Sequence, residues 1–463
     1  MQDKDRLKNF IATASALVGY QLTICMPYVI CAFLIGRIGS SFSLSSYGLS
    51  ITIANIGFYC FVMGIQEAIG VVCSKLYGNG QYNTMWKYLW KSLLFVLVIT
   101  GFFHLFSLFS TQILLAINID MKIALPSGRL LKLMSMSLYL QGINEIMNNF
   151  LSAQNITKPL FYLNLISIAI VYLTGDLFIN HLGYAELGYG YMKICQESFH
   201  FIYYIFVVIK YTNLDYVEWP SAENIKDDFW PFFKENIYTI MTYYGSVVIF
   251  EINTYLAALL HDVDALAIWV AFSNVTIIHY FTSVGLGAAM RNLVGKRIGE
   301  SRIDLARNES ISYLKYMTVF SIFLTILTFI CSDGIAGIFT AKYTVTRGLS
   351  KNLKFFSICI PWVLILPSTK TLYRVLNQAS VMIVLTTLVF PASYLIFSYL
   401  FCLYFRFGVE GIVVSGVPIT LLKSGVLLLY LYINIDWRKA NLKDEMIQHG
   451  DMIQDDDDKI FES

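Results

Sequence analysis

The chain has 463 residues, 57% of them hydrophobic and 16% aromatic, with only 14% charged, a net charge of +2 and a mean hydropathy of +0.61. Soluble domains carry about 25% charged residues, so this balance marks a membrane protein. It also excludes a nucleic-acid-binding face, because no basic tract has the density that phosphates demand.

The polar N-terminus, MQDKDRLKNF, is followed by an apolar run from Ile11 to Ile35. That run is too long for a signal-peptide core and lacks a cleavage site, so it is expected to stay in the mature protein as a transmembrane helix. A spanning helix needs about 20 largely apolar residues. Twelve such stretches can be drawn, at 10–36, 47–74, 88–116, 126–150, 158–180, 186–209, 231–258, 264–290, 311–333, 352–373, 379–404 and 409–434. The polar segment 210–230 divides them six and six. The expected architecture is therefore all-α and polytopic. An N-terminal six-helix lobe occupies 1–209, a cytoplasmic linker 210–230, a C-terminal six-helix lobe 231–434, and a disordered cytoplasmic tail 435–463 with an acidic run at Asp455 to Asp458.

Orientation follows from Lys and Arg in the connecting segments. With the N-terminus inside, the inner segments hold 22 of them, including Lys75, Arg291, Lys296, Arg297, Lys370 and Arg374, and the outer segments nine. Both ends are expected in the cytoplasm, and the Asn-x-Ser/Thr triplets at Asn155, Asn274 and Asn308 are not expected to be glycosylated. The eight cysteines lie almost entirely in apolar runs without CxxC spacing, and the six histidines are scattered. Packed thiols are expected, with no metal site and no cofactor.

The two halves repeat. A shift of 221 residues superposes Gly64 on Gly285, Ala68 on Ala289, Lys75 on Lys296 and Gly78 on Gly299. The second and eighth spans are therefore equivalent, and internal repeats with a site at their interface characterise secondary transporters.

Several polar residues lie within the spans. Glu251 sits in the seventh, about two turns or more from either end, and a carboxylate at that depth costs roughly 2.5–3.5 kcal/mol on insertion scales. It reads as a coupling group, or else as an acid hydrogen-bonded for packing. Its repeat-related position is Ile30. Glu67, in the second span, either lines the N-lobe cavity or pairs with Lys75. In the fourth span Gln141, Asn144, Glu145, Asn148 and Asn149 share one helical face. Lipid cannot accept such a stripe, so it faces a cavity or a neighbouring helix.

Lys193 and Glu197, four residues apart in the sixth span, are expected to neutralise each other. Asp176 is expected near the outer interface, and Lys423 has no assigned role. Tyr28, Tyr243, Tyr244, Phe272 and Tyr280 are candidates for stacking on a cationic or planar ligand. Asn55 and Asn274 complete the candidate cavity lining.

Six motifs carry a family resemblance over 10–434. Val294-Gly-Lys-Arg-Ile-Gly-Glu-Ser301 with Ala306 resembles the VGNxLGxG…A signature after the eighth helix of MATE (multidrug and toxic compound extrusion) transporters. Gly36-Arg-Ile-Gly39 resembles the G-H-L-G that closes their first helix. Asn55-Ile-Gly57, Gly64 and Cys73-Ser-Lys-Leu-Tyr-Gly78 resemble their second-helix pattern. Phe150-Leu-Ser-Ala-Gln-Asn155 with Pro159-Leu160 is similar to the F-L-Q-A-Q…P-L of eukaryotic members.

The resemblance implies two six-helix bundles forming a V around a central cavity, alternating access, and export of organic cations or polyspecific substrates driven by inward H+ or Na+. Phe250-Glu251 matches the second acid of the eukaryotic E-W-W-x-[FY]-E pattern, with Ser246 in place of the first. No acid lies between Asp5 and Glu67, where prokaryotic members place a proton-binding Asp. None lies between Asp333 and Glu410, which disfavours a sodium site shared with a tenth-helix carboxylate. Lys75 replaces the usual Gln, and Gly70-Val71 a common acid-Thr pair.

The expected function is an H+-coupled antiporter exporting organic cations or amphipathic xenobiotics and metabolites. Glu251, Glu67 and Glu145 are its candidate coupling residues, and Asn55, Gln141, Asn144, Asn148, Tyr244, Asn274 and Tyr280 its candidate cavity lining. It is expected as a monomer in a plasma or vacuole/lysosome-type membrane, with a small-molecule substrate and the lipid bilayer as its partners. The alternatives are a lipid-linked precursor flippase, which would need a basic cavity, an intramembrane enzyme, for which no second catalytic group stands at motif spacing, and an inactive relative.

Overall fold

The computed structural model describes residues 2–37, 41–116, 119, 121–212, 217, 229–258, 260, 262–339, 343–376, 384–434 and 437. The first half comprises α1 (Gln2–Arg37), α2 (Ser41–Ala54), α3 (Cys60–Gly78), α4 (Tyr82–Leu108), α5 (Ser110–Ala116), α6 (Met121–Ala153), α7 (Lys158–Asp176) and α8 (Leu187–Tyr211). The second comprises α9 (Phe229–Ala258), α10 (Val263–Gly299), α11 (Ile303–Phe339), α12 (Tyr343–Ser357), α13 (Ile360–Val375), α14 (Phe390–Tyr399) and α15 (Gly408–Asn434).

A π turn at Asn55–Tyr59 welds α2 and α3 into one span, and π turns at Leu385–Val389 and Leu400–Tyr404 extend α14. Counted this way, with α12 and α13 as one bent span, the helices make the twelve spans read from the sequence. Most of segment 210–230, nearly all of the tail 435–463 and Ile38-Gly39 of the first motif lie outside the described residues.

Two spans depart from their expected outlines. The third, drawn to residue 116, breaks at Phe109, so that α5 is a separate short helix. The tenth is two helices meeting at 54°. Pro361 stands in the first turn of α13, where a missing N–H is tolerated, and the residue before a proline resists helical geometry. A bend at that point follows from the covalent chemistry.

Among the described residues, seven helices are long and apolar enough to cross a membrane by composition alone. Helices α6, α9 and α10 are not among them; α6 and α10 carry polar residues such as Asn144, Glu145, Arg291 and Asn292, which are buried against neighbours. The outward faces are hydrocarbon-like: Phe102, Val319 and Ile330 are 70%, 70% and 71% exposed, which suits lipid and not water.

Within the first half α6 packs on α3, α4 and α8, and α7 on α1; within the second α13 packs on α10, α11 and α15. The halves meet where α1 and α3 lie against α10 and where α3 lies against α9. Phe10 and Leu17 of α1 share one core with Met290 and Val294 of α10 and Leu364 of α13.

The seam follows the repeat. Gly70 abuts Arg291 and Ser74 abuts Gly295, and the members of each pair are one repeat of 221 residues apart. Helices α3 and α10 therefore cross on the pseudo-two-fold axis. At their shared end, Gly78 faces the carbonyl of Lys296 while Gly299 faces that of Lys75, a reciprocal pair. A Cβ at either glycine would strike backbone, which cannot move aside as a flexible side chain can. The glycines that revealed the repeat are the ones that let its two copies touch.

Candidate functional site

Two carboxylates bridge the halves along this seam. On α9, half-buried Glu251 receives two hydrogen bonds from the other half, from the Thr52 hydroxyl at 2.9 Å and the Asn55 side-chain amide at 3.2 Å. Asn55 opens the π turn between α2 and α3, and such turns re-aim side chains within a span. The structure thus brings together Glu251 and Asn55, which the sequence named separately, and adds Thr52. The available signal for Thr52 was its place three residues before Asn55, one helical turn away. Two turns before Glu251, the Tyr244 ring meets Phe61 edge-on across the seam at 6.3 Å. The side chains of Tyr243, Ser246 and Phe250 lie outside the described residues.

Glu67, on α3, belongs to a denser cluster. It accepts from Arg291 at 2.5 Å and from the Thr371 hydroxyl at 3.0 Å, and the Arg374 guanidinium is 3.6 Å away. Arg291 also donates to Asn149 at 2.6 Å and to Asn292 at 3.2 Å, and Asn292 donates to Ser152 at 3.1 Å. Glu67, Asn149 and Ser152 belong to one half, and Arg291, Asn292, Thr371 and Arg374 to the other. Every member is at least nine-tenths buried.

Of the two readings for Glu67, cavity lining or pairing with Lys75, the described contacts instead put Arg291 beside it, because α10 runs directly across α3 while Lys75 lies two turns further along. Arg291 and Arg374, read from the sequence as loop charges, are buried helical residues. Proximity to the ends of apolar runs misplaced them: each lies within the last turns of a long helix, inside the protein.

The polar stripe of α6 makes helix–helix hydrogen bonds. Gln141 accepts from Tyr59 at 3.0 Å, and Asn144 donates to the Glu197 carboxylate at 2.9 Å. Asn148 accepts from Tyr204 at 3.4 Å, and Asn149 donates to Gln66 at 3.3 Å. Glu197 also holds Lys193 at 2.6 Å, the expected pair. Glu145 lies buried in this network, 4% exposed, with Oε2 enclosed by protein. The stripe thus knits α6 to α3, to the π turn before it and to α8.

The second half holds a partly open cavity of ≈ 170 Å³ between α10, α12, α13, α14 and α15. Trp269, Phe272, Phe356, Phe390 and Tyr394 supply aromatic walls, and Lys370, Arg374 and Lys423 supply charge. Tyr280 lines it as expected of a cavity residue. Asn274, on the same helix, does not. No carboxylate stands among the described lining residues. Lys370, read as a loop lysine, and Lys423, left without a role, thus face one space. Asp176 lies at the far end of α7, holding Asn180 at 2.6 Å and His181 at 3.3 Å, apart from both seam and cavity.

Comparison with known proteins agrees with this arrangement. The MatE family model matches residues 17–176 and 239–400, one block in each half. The chain is 24% identical to Protein DETOXIFICATION 35 of Arabidopsis thaliana over 92% of its own length and 87% of that protein's. The fold matches the crystal structure of the eukaryotic MATE transporter AtDTX14 with a TM-score of 0.87 at 15% identity, covering 95% of this chain and 98% of that one. It also matches an outward-facing multidrug resistance MATE transporter of the MOP superfamily, with a TM-score of 0.80 at 13% identity, over 94% and 96% of the two chains.

Proposed function

The chain belongs to the MatE family of transporters, and from that premise we propose that it is a secondary antiporter. It exports amphipathic small molecules in exchange for H+, as its two lobes alternately open a path between them. The observation that carries this reading is Glu251, a carboxylate at the lobe seam held by a hydroxyl and an amide alone among the contacts described for it. Such a group can take up a proton without abandoning an ion pair. Protonation removes the acceptor's charge and so weakens the bridge from α9 to Thr52 and Asn55. A proton that binds the two arrangements of the seam unequally shifts the balance between them, which is the thermodynamic content of coupling.

The Lys and Arg bias supports cytoplasmic termini, with the Gly78–Lys296 and Gly299–Lys75 crossing at the cytoplasmic end. In the proposed cycle this end closes through Glu67 and Arg291 and parts when Glu251 has exchanged its proton. Coupling to H+ is preferred over Na+ because the second lobe offers no second acid between Asp333 and Glu410 to share a sodium ion. The protein works as a monomer in a plasma or vacuole/lysosome-type membrane. On substrate class, three cations around the second-lobe cavity favour amphipathic over cationic molecules. They also favour, as a second reading, a flippase for an anionic lipid-linked precursor.

The test is efflux from proteoliposomes under an imposed pH gradient, using fluorescent amphiphiles of both charges, with wild type and Glu251→Gln side by side. Gradient-driven efflux in wild type, absent in the variant while substrate still binds, is the expected result. Efflux that survives the substitution would move the coupling group to Glu67 or Glu145. If wild type moves nothing across the whole panel, the antiporter reading is rejected.

A further inference from the structure

We infer that the second lobe holds a binding site for an amphipathic organic anion, an apolar or aromatic body carrying a carboxylate, sulfonate or phosphate head. The inference rests on the transporter reading for its context, but on the cavity alone for its chemistry.

The cavity is polarised along its length. Helices α10, α13 and α15 are the eighth, tenth and twelfth spans, so all three run in the same direction across the membrane. Their early lining residues are apolar or aromatic, such as Trp269, Phe272 and Val413. Their late ones include Lys370, Arg374 and Lys423. Lys370 and Arg374 are four residues apart on α13 and so share a face, and Lys423 comes from α15 opposite. The cations are therefore gathered toward one end of the space, beside Phe390, and the other end is apolar and aromatic.

Lys423 is 8% exposed and, among the described residues, makes no ion pair. Its ammonium stands 5.7 Å from the Phe390 ring, a contact that offsets only part of the cost of leaving water. Lys370, Lys423 and Arg374, the last drawn toward Glu67 at 3.6 Å, line one space, and a positively charged guest there would be repelled by them. An anion would be attracted. A head group between Lys370 and Lys423 would leave its hydrocarbon against Phe272 and Trp269, as the two ends of the cavity require.

The site also touches the seam. Thr371 and Arg374 line the cavity and reach Glu67 of the other lobe at 3.0 and 3.6 Å. An anion drawn toward Arg374 competes with Glu67 for it, which links occupancy of the cavity to the contact that joins the lobes.

The experiment is equilibrium dialysis of the full-length protein in nanodiscs of neutral phosphatidylcholine. It uses a matched pair of probes, naphthalene-2-sulfonate and 2-naphthyltrimethylammonium, which share a ring system and differ in sign. The sulfonate should bind about tenfold tighter or more than the ammonium, the scale of one charged hydrogen bond. Lys423→Gln should weaken the sulfonate by a similar factor, Lys423→Arg should restore it, and neither should weaken the ammonium. Equal binding of the two probes to wild type, or sulfonate affinity unchanged in a Lys370→Gln/Lys423→Gln protein, overturns the inference.

If the Gln variants fail to fold, the wild-type comparison of the two probes decides by itself. Competition by added phosphatidylglycerol would assign the anion site to a lipid head group, and its absence to a soluble anion; both outcomes uphold the site. Binding is read without a pH gradient, so a failure of antiport and a failure of this site are separate results.

Discussion

Glu251 and Glu67 are both carboxylates of the lobe seam, both embedded in spanning helices, and they are held in opposite ways. Glu67 faces the guanidinium of Arg291 at 2.5 Å, with Thr371 and Arg374 behind it. Glu251 faces a hydroxyl and an amide. Neutralising Glu67 would strand Arg291 in a buried interface, and buried charges left without their partners cost several kcal/mol. Among the contacts described for Glu251 there is no cation to strand. In the proposed cycle the carboxylate locked by a cation is therefore the fastener, and the one held by neutral donors exchanges the proton. The repeat explains the placement: Glu67 stands beside the pseudo-two-fold axis, where α3 and α10 must touch, whereas Glu251 is toward the far end of α9.

The largest expected effect comes from breaking the fastener. Glu67→Gln leaves Arg291 buried against Asn149 and Asn292 without a counter-charge, and removal of one partner of a buried pair costs about 3–5 kcal/mol. Thermal unfolding of the purified protein should register it, and adding Arg291→Gln should recover a large part of the loss, since the stranded charge goes with it. A variant that melts like wild type would remove the distinction between the two carboxylates. Next in size is Gly299→Val, which drives a branched side chain into the Lys75 backbone. Overpacking of this kind costs about 1–3 kcal/mol. It should also slow the oxidant-driven formation of a disulfide between cysteines placed at the α3 and α10 ends, because the two ends are held further apart.

Much of this was legible in the chain. Twelve apolar runs, split evenly, gave the architecture, because a bilayer permits little but helices of the right length. The glycines of the repeat marked the crossing on the axis, although the sequence could not say that the two copies touch each other. Glu251 stood out because a lone acid in an apolar run has few bland explanations. Its pairing with Asn55 and Thr52 did not, because Thr52 is an ordinary spanning-helix residue and the π turn that aims Asn55 leaves no periodicity to detect.

The cations were misjudged for a related reason. Arg291, Lys370 and Arg374 lie near the ends of apolar runs, where a charge normally reaches water. Only the packing of α10 and α13 against their neighbours shows that these three turn inward. The stripe on α6 was recognised as a face that lipid cannot take, yet hydrogen-bonded helix contact and open cavity leave the same pattern in sequence. In the structure Tyr59, Tyr204 and Gln66 make it contact, and all three lie more than 60 residues from the stripe's start at Gln141.

The smallest effect sharpens the comparison most. Thr52→Val removes one hydroxyl from Glu251 and keeps the side-chain shape. If the carboxyl is protonated, the lost bond is a neutral one worth about 0.5–1.5 kcal/mol; if it is ionised, the bond is charge-assisted and worth about 1.5–3 kcal/mol. Melting temperatures of wild type and variant, compared from acidic to alkaline pH, separate the two cases. A proton-exchanging Glu251 predicts a gap that is small at low pH and widens as the pH rises and the carboxyl ionises. The same experiment on Thr371→Val, which removes a hydroxyl from Glu67, should show a gap that changes less with pH, because that carboxylate is ion-paired with Arg291. A constant gap at Thr52 would mean that Glu251 holds one protonation state over the whole range, and the exchangeable proton would then have to be sought at Glu145.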